Sequence, residues 1–138
     1  MRWQYILDAC ALVALLKNEP GADEVAAIIN EAYKGKARVS MSKLNLLEVY
    51  YDVYRSVGKE NANEVLLEIM KRPVTIVSNI GDEVFAEAER LKASYRISLA
   101  DSIALAEASV SGASLLTSDH HEFDSIEKSE NIKFCWIR

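Results

Sequence analysis

The chain predicts an α/β domain in which a short central parallel sheet is covered by helices on both faces. Three observations lead there. Helical and extended patterns alternate from end to end, the extended runs are short, and no linker, repeat or low-complexity stretch breaks the rhythm. With 138 residues, half of them hydrophobic and only two proline, the chain is expected to form one domain, 1–138, around a single continuous core.

The first strand is expected at Tyr5 to Leu7, running directly into a helix over Ala9 to Lys17 that Asn18, Pro20 and Gly21 stop. A second helix, about Ala22 to Tyr33, carries Val25, Ile28 and Ile29 on one face. After the turn at Lys34, Gly35 and Lys36, Val39 to Met41 forms the second strand. Ser42 is placed to cap a helix over Lys43 to Val57, Gly58 breaks it, and a further helix covers Glu60 to Lys71. Val74 to Val77, β-branched and preceded by Pro73, reads as the third strand. Helices follow at about Asp82 to Ser94 and Leu99 to Ser111, the latter ending before Gly112. Ser114 to Thr117 and Lys133 to Trp136 supply the last two strands, with a loop or short helix between them.

Composition narrows the function classes. Sixteen basic against 21 acidic residues give a net charge of −5, the wrong sign for holding nucleic acid by bulk electrostatics. A nucleic-acid partner would need a local basic rim and metal ions. Cys10 and Cys135 are too few for a disulfide framework, which fits a reducing, cytoplasmic location with both as buried thiols. Ala11 to Leu16 is wholly apolar, but Asp8 stands where a signal peptide would not carry a charge. No run approaches the ~20 apolar residues that span a bilayer, so a soluble protein without a membrane partner is expected.

Ligands of parallel sheets bind beyond the carboxyl ends of the strands, and four acids fall there. Asp8 directly follows strand one, and Asp119 follows strand four after Ser118 alone. Asp101 opens the helix leading to strand four, and Glu48 lies just over a turn into the helix after strand two. Two carboxylates ~7 Å apart repel by roughly 2 kcal/mol at an effective dielectric of about 20. Four together therefore raise their pKa values or hold a divalent cation, and a purely oxygen donor set favours Mg²⁺ or Mn²⁺.

Each acid alone has a structural explanation. Asp8 can cap the first helix, Asp119 can close a turn, and Ser98 to Asp101 matches a capping box. Glu48 resists such treatment, since Leu44 and Tyr51 share its stripe while Leu46, Val49, Tyr50 and Val53 cover the other side of the helix. His120 and His121 are adjacent and have no HExxH or CxxC beside them, which argues against zinc. The chain also lacks GxGxxG, a P-loop and a serine nucleophile elbow.

The run from Tyr5 through Asp8 to Leu16, followed by Glu19, Pro20, Gly21 and Ala22, resembles the opening of PIN-domain ribonucleases of the VapC toxin type. Ser42 to Val49, containing Asn45 and Glu48, resembles their second acidic motif, Ile97 to Ala106 around Asp101 the third, and Leu115 to Asp119 the fourth. The resemblance covers essentially the whole chain, with the motifs in order. It implies a PIN-like fold, Mg²⁺- or Mn²⁺-dependent endoribonuclease activity leaving 5′-phosphate and 3′-hydroxyl ends, homodimerisation, and inhibition by a cognate antitoxin in a type II toxin–antitoxin pair. By matching position, Asp8, Glu48, Asp101 and Asp119 become the catalytic and metal-binding quartet, with Asn45 and Thr117 as polar residues supporting them. Cys10 departs from the serine or threonine common at its position.

Lys43, Arg55 and Arg96 are the basic residues nearest the acidic motifs and the expected contacts for an RNA backbone. Lys34, Lys36 and Arg38 fall at the opposite edge of the sheet and read as a solvated charge run. Asp124, the candidate for a fifth acid in the pocket, reads rather as a solvated residue on the loop or short helix after strand four. Tyr50, Tyr51 and Tyr54, followed by Leu66, Leu67, Ile69 and Met70, form the expected dimer surface. A non-catalytic PIN-fold binding or regulatory module is the alternative. A metal-dependent phosphatase fits less well, since Ala9 and Cys10 leave no second acid close to Asp8.

Overall fold

The computed structural model describes residues 2–138. Strands β1 (Trp3–Leu7), β2 (Ala37–Ser42), β3 (Val74–Val77), β4 (Ser114–Thr117) and β5 (Lys133–Trp136) form one parallel sheet in the order β3-β2-β1-β4-β5. The connecting helices are α1 (Ala9–Leu16), α2 (Ala22–Tyr33), α3 (Lys43–Val57), α4 (Lys59–Met70), α5 (Asp82–Ser94), α6 (Leu99–Ser111) and α7 (His120–Ser129). This is the helix-covered parallel sheet that the sequence predicts.

Side-chain alternation along the strands divides the core into two layers. Ile6 of β1 is in register with Leu115 of β4, and both pack with Leu91 of α5, Ile103 of α6, and Phe123 and Ile126 of α7. The next pair in register, Leu7 and Leu116, turns to the other face and meets Leu12 of α1, Val25 of α2, Val49 of α3 and Ile69 of α4. Each such buried side chain stabilises the fold by about 1.5–3 kcal/mol. Among the described residues no helix is long and apolar enough to cross a membrane.

The strand order turns at β1. Chain growth runs toward β2 and β3 on one side and toward β4 and β5 on the other, so the connections leaving β1 and β4 diverge and open a crevice at their carboxyl ends.

Some expectations need correction. β1 starts at Trp3 and β2 at Ala37, because backbone pairing of Trp3 with Ala37 and Gln4 with Arg38 extends both strands through residues of which only Ala37 is buried. Arg38 is thus inside β2, while remaining exposed like Lys34 and Lys36. The stretch after β4 is a full helix, α7, packed by Phe123 and Ile126, and Asp124 lies exposed on it. Ile69 is 2% exposed and belongs to the core, while Tyr50 is half-buried and donates its hydroxyl to Asn63 Oδ1 at 2.7 Å. Of the expected dimer surface, Tyr51, Tyr54, Leu67 and Met70 stay exposed. Cys10 and Cys135 are free but only half-buried.

Candidate functional site

Helix caps bring the acids to the carboxyl edge of the sheet. Asp8 ends the β1 connection by capping α1, its Oδ1 accepting the Ala11 N–H at 2.8 Å. Ser42 closes β2 and caps α3, accepting the Leu44 N–H at 3.1 Å, and Asn45 and Glu48 follow on that helix. Ser98 caps α6 by accepting the Asp101 N–H at 3.1 Å. Thr117 Oγ1 at the end of β4 accepts the Asp119 N–H at 3.1 Å, and Asp119 Oδ1 caps α7 by accepting the Glu122 N–H at the same distance. The capping role read from the sequence is real for Asp8, while Asp119, read as closing a turn, caps α7. Each cap uses one carboxylate oxygen.

The buried polar side chains among the described residues are Asp8, Ser42, Asn45, Ser102 and Thr117, and every one lies in or beside an acidic motif. Asn45 is fully buried, donates Nδ2 to the Ala100 carbonyl at 3.3 Å, and leaves Oδ1 without a partner. An orphan carbonyl of this kind costs about 1–3 kcal/mol and calls for a compensating ligand.

The electrostatics link all four acids. Burial pushes the Asp8 carboxyl up to about 7, opposed by the Thr117 hydroxyl and the Ala11 N–H and reinforced by Asp101 and Asp119. Asp101 rises to about 6, chiefly by burial, with Ser98 opposing and Glu48, Asp119 and Glu122 adding to it. Burial also raises Glu48. The Cys10 thiol is pushed up to about 12 by burial, then by Asp8, Asp119, Asp101 and Glu48. One thiol therefore senses carboxylates from four separate elements.

Among the described residues no three His, Cys, Asp or Glu side chains already stand together as a metal-ligand set. The donors nonetheless fit a hard cation: four carboxylates and the unpartnered Asn45 Oδ1.

An open cleft of about 290 Å³ lies beside the aspartates, with Cys10, Glu19, Glu48, Asp52, Ser118 and Arg138 among its lining residues. Asp8, Asp101 and Asp119 do not line it, and Glu48 and Ser118 connect cleft and acids. The basic residues are scattered. Lys43 opens α3 and borders a separate groove with Leu47, Val77 and Ile80. Arg55 stacks over Tyr51 at 5.3 Å, and Arg96 is exposed ahead of the Ser98 cap. Sequence reasoning missed Arg138, which only the folded chain brings to the cleft, and Glu122, whose spacing from Asp119 is a capping signal.

The PIN domain family model matches residues 5–129. The chain belongs to the PIN-domain family. Several solved structures share its fold. VapBC from Salmonella typhimurium bound to DNA aligns with a TM-score of 0.77 at 14% identity, covering 99% of both chains. VapBC2 from Rickettsia felis bound to promoter DNA gives 0.74 at 18%, covering 96% of this chain and 98% of that one. VapC20 from Mycobacterium tuberculosis, a toxin that cleaves the sarcin-ricin loop, gives 0.57 at 15%, covering 93% and 95%. At these identities the likeness is one of fold. No curated protein matches by sequence. In this PIN domain Asp8 and Asp119 follow β1 and β4, the strands on either side of the switch point where α/β sheets bind ligands.

Proposed function

We propose that this PIN domain, taken as residues 1–138, is a Mg²⁺- or Mn²⁺-dependent endoribonuclease and the cytoplasmic toxin of a toxin–antitoxin pair. The observation that supports this reading is positional: Asp8 and Asp119 cap the helices that follow β1 and β4, Asp101 lies in the first turn of α6, and Glu48 lies on α3 after β2. Asp8, Asp101 and Asp119 would hold the cation, with Glu48 as a further ligand or as the group that would orient a metal-bound water. When bound, the cation supplies an acidified water and neutralises charge developing on the phosphate. Thr117 fixes Asp119 through the Asp119 N–H, and Asn45 offers its free Oδ1. An external water, not the ribose 2′-hydroxyl, attacks, so the products carry 5′-phosphate and 3′-hydroxyl ends. Lys43, Arg55 and Arg96 serve the RNA backbone outside the acidic centre.

The partner reading rests on the VapBC complexes among the structural neighbours and on surface shape. An apolar groove of about 210 Å³ bordered by Leu16, Val53, Val57 and Val65 shares Val13 and Asp52 with the acidic cleft. An antitoxin segment with an apolar stretch and an arginine beyond it fits that continuity, since a guanidinium bridges carboxylates with paired hydrogen bonds. A second apolar face joins Leu47 and Ile80 to Phe85 and Leu99, because two neighbouring grooves share Ile80. That face suits a homodimer.

Expression of the chain alone should slow growth, and co-expression with an antitoxin encoded beside it should restore growth. The Asp8→Asn variant should be harmless. A harmless, well-expressed wild type that also fails to cut RNA with Mn²⁺ would leave the non-catalytic module as the better account.

A further inference from the structure

The segment after β5 is strapped across the carboxyl end of β4. The Ile137 N–H donates to the Thr117 carbonyl at 3.1 Å, and the Ile137 side chain is buried with Leu7, Met41 and Leu116. Gly21, at φ +100, lies so close beneath that a Cβ there would stand 2.8 Å from the Ile137 carbonyl oxygen. His120, the residue after Asp119, stacks on Trp136 with ring centroids 3.9 Å apart. Its Nε2 donates to the Arg138 carbonyl at 2.8 Å, while its Nδ1 lies 2.7 Å from Asp124 Oδ1. The backbone at Arg138 is thereby fixed to the same turn that carries Asp119.

Arg138 is exposed and is among the residues lining the cleft with Glu48, Cys10 and Ser118. It is the cationic residue of that lining, and among the described residues it enters no ion pair. The nearby Lys17 is already turned to Asp52 at 3.9 Å. An RNA strand approaching Glu19, Glu48 and Asp52 meets repulsion that a cation at the acids relieves only at the scissile phosphate. A neighbouring phosphate needs its own positive partner, and a guanidinium gives it two hydrogen bonds in fixed geometry.

We propose that Arg138 is a substrate-binding residue whose guanidinium contacts an RNA phosphodiester next to the one that is cut. This rests on the nuclease reading above. The test compares wild type, Arg138→Gln and Arg138→Lys by steady-state cleavage of a fluorescein-labelled single-stranded RNA with Mn²⁺, alongside Mn²⁺ calorimetry. Loss of one charge-assisted contact should raise KM about tenfold in Arg138→Gln, with kcat within about twofold and Mn²⁺ affinity unchanged. Arg138→Lys should recover part of the loss, and the salt dependence of RNA binding should weaken by about one phosphate contact in Arg138→Gln alone. An unchanged KM and salt slope would overturn the assignment, as would tighter Mn²⁺ binding with unchanged KM, the signature of a mere counter-ion to the acids. Either result with an active wild type leaves the nuclease role standing. A wild type that neither binds nor cuts the RNA overturns both.

Discussion

Asn45 Nδ2 donates to the Ala100 carbonyl oxygen at 3.3 Å, joining α3 to α6 immediately before Asp101. This bond sets the distance between the helices that carry Glu48 and Asp101, while Asn45 Oδ1 remains buried and unpartnered. Asn45→Ala should cost about 1–2 kcal/mol in stability, read from the urea midpoint, since one bond is lost while an orphan oxygen is also removed. It should lower RNA cleavage by more, about tenfold or beyond, because the two acids lose their common brace. Unchanged stability and unchanged cleavage would show that the bond positions nothing.

The raised Asp8 carboxyl fixes the sign of a pH effect. Its pKa moves from 3.8 in the unfolded chain to about 7 in the fold, so between those values the native state keeps a proton that the unfolded state has released. Its contribution to metal-free stability is therefore full below about pH 4 and is lost as pH rises through about 7. Asp8→Asn keeps the α1 cap and escapes this loss. In EDTA at pH 8 the variant should be more stable than wild type by on the order of a few kcal/mol, and the difference should vanish near pH 4. A variant less stable than wild type at pH 8 would mean that capping outweighs charge.

Much of this was legible in the sequence because the signals were local. Pro20, Gly58, Pro73 and Gly112 mark element ends, and Asp8, Ser42 and Ser98 declare helix starts in residue type alone. Helix α7 reads in the sequence only as a loop or short helix, because its polar opening, His120 to Glu122, hides a two-residue apolar stripe of Phe123 and Ile126. Ile69 looked like surface because the pattern of α4 does not say which of its several apolar positions meets the sheet. Arg138 carries no signal in one dimension. Its place depends on the Ile137 bond to Thr117 and on His120 stacking against Trp136.

Self-association should follow the continuous apolar face. Leu47, Ile80, Phe85 and Leu99 are each more than half exposed, on α3, the segment joining β3 to α5, α5 and α6 respectively. Light scattering should give a dimer mass at micromolar concentration, Phe85→Glu should dissociate it, and Tyr54→Glu should leave it intact. A monomeric wild type, or dissociation by Tyr54→Glu alone, would contradict this and return the interface to α3 and α4.

Cys10 offers a chemical probe of the acids. With its thiol pushed up to about 12, almost no thiolate exists at pH 8, and iodoacetamide labelling should run at least about tenfold slower than for an unhindered cysteine. Mn²⁺ should accelerate labelling by neutralising the four carboxylates, and Asp101→Asn should blunt that response. Mass spectrometry resolves Cys10 from Cys135. Because burial is the larger cause of the raised thiol, the metal response is the test: a labelling rate that Mn²⁺ leaves unchanged would show that the acids do not share one field.

The most direct measurement is an end-group analysis of RNA incubated with Mn²⁺ and wild type, Asp8→Asn or Asp101→Asn. The four acids acting as one metal site predict fragments with 5′-phosphate and 3′-hydroxyl ends from the wild type, and cleavage reduced about a hundredfold or more in both variants. Cleavage that survives in either variant, proceeds in EDTA, or leaves cyclic phosphate ends would contradict it.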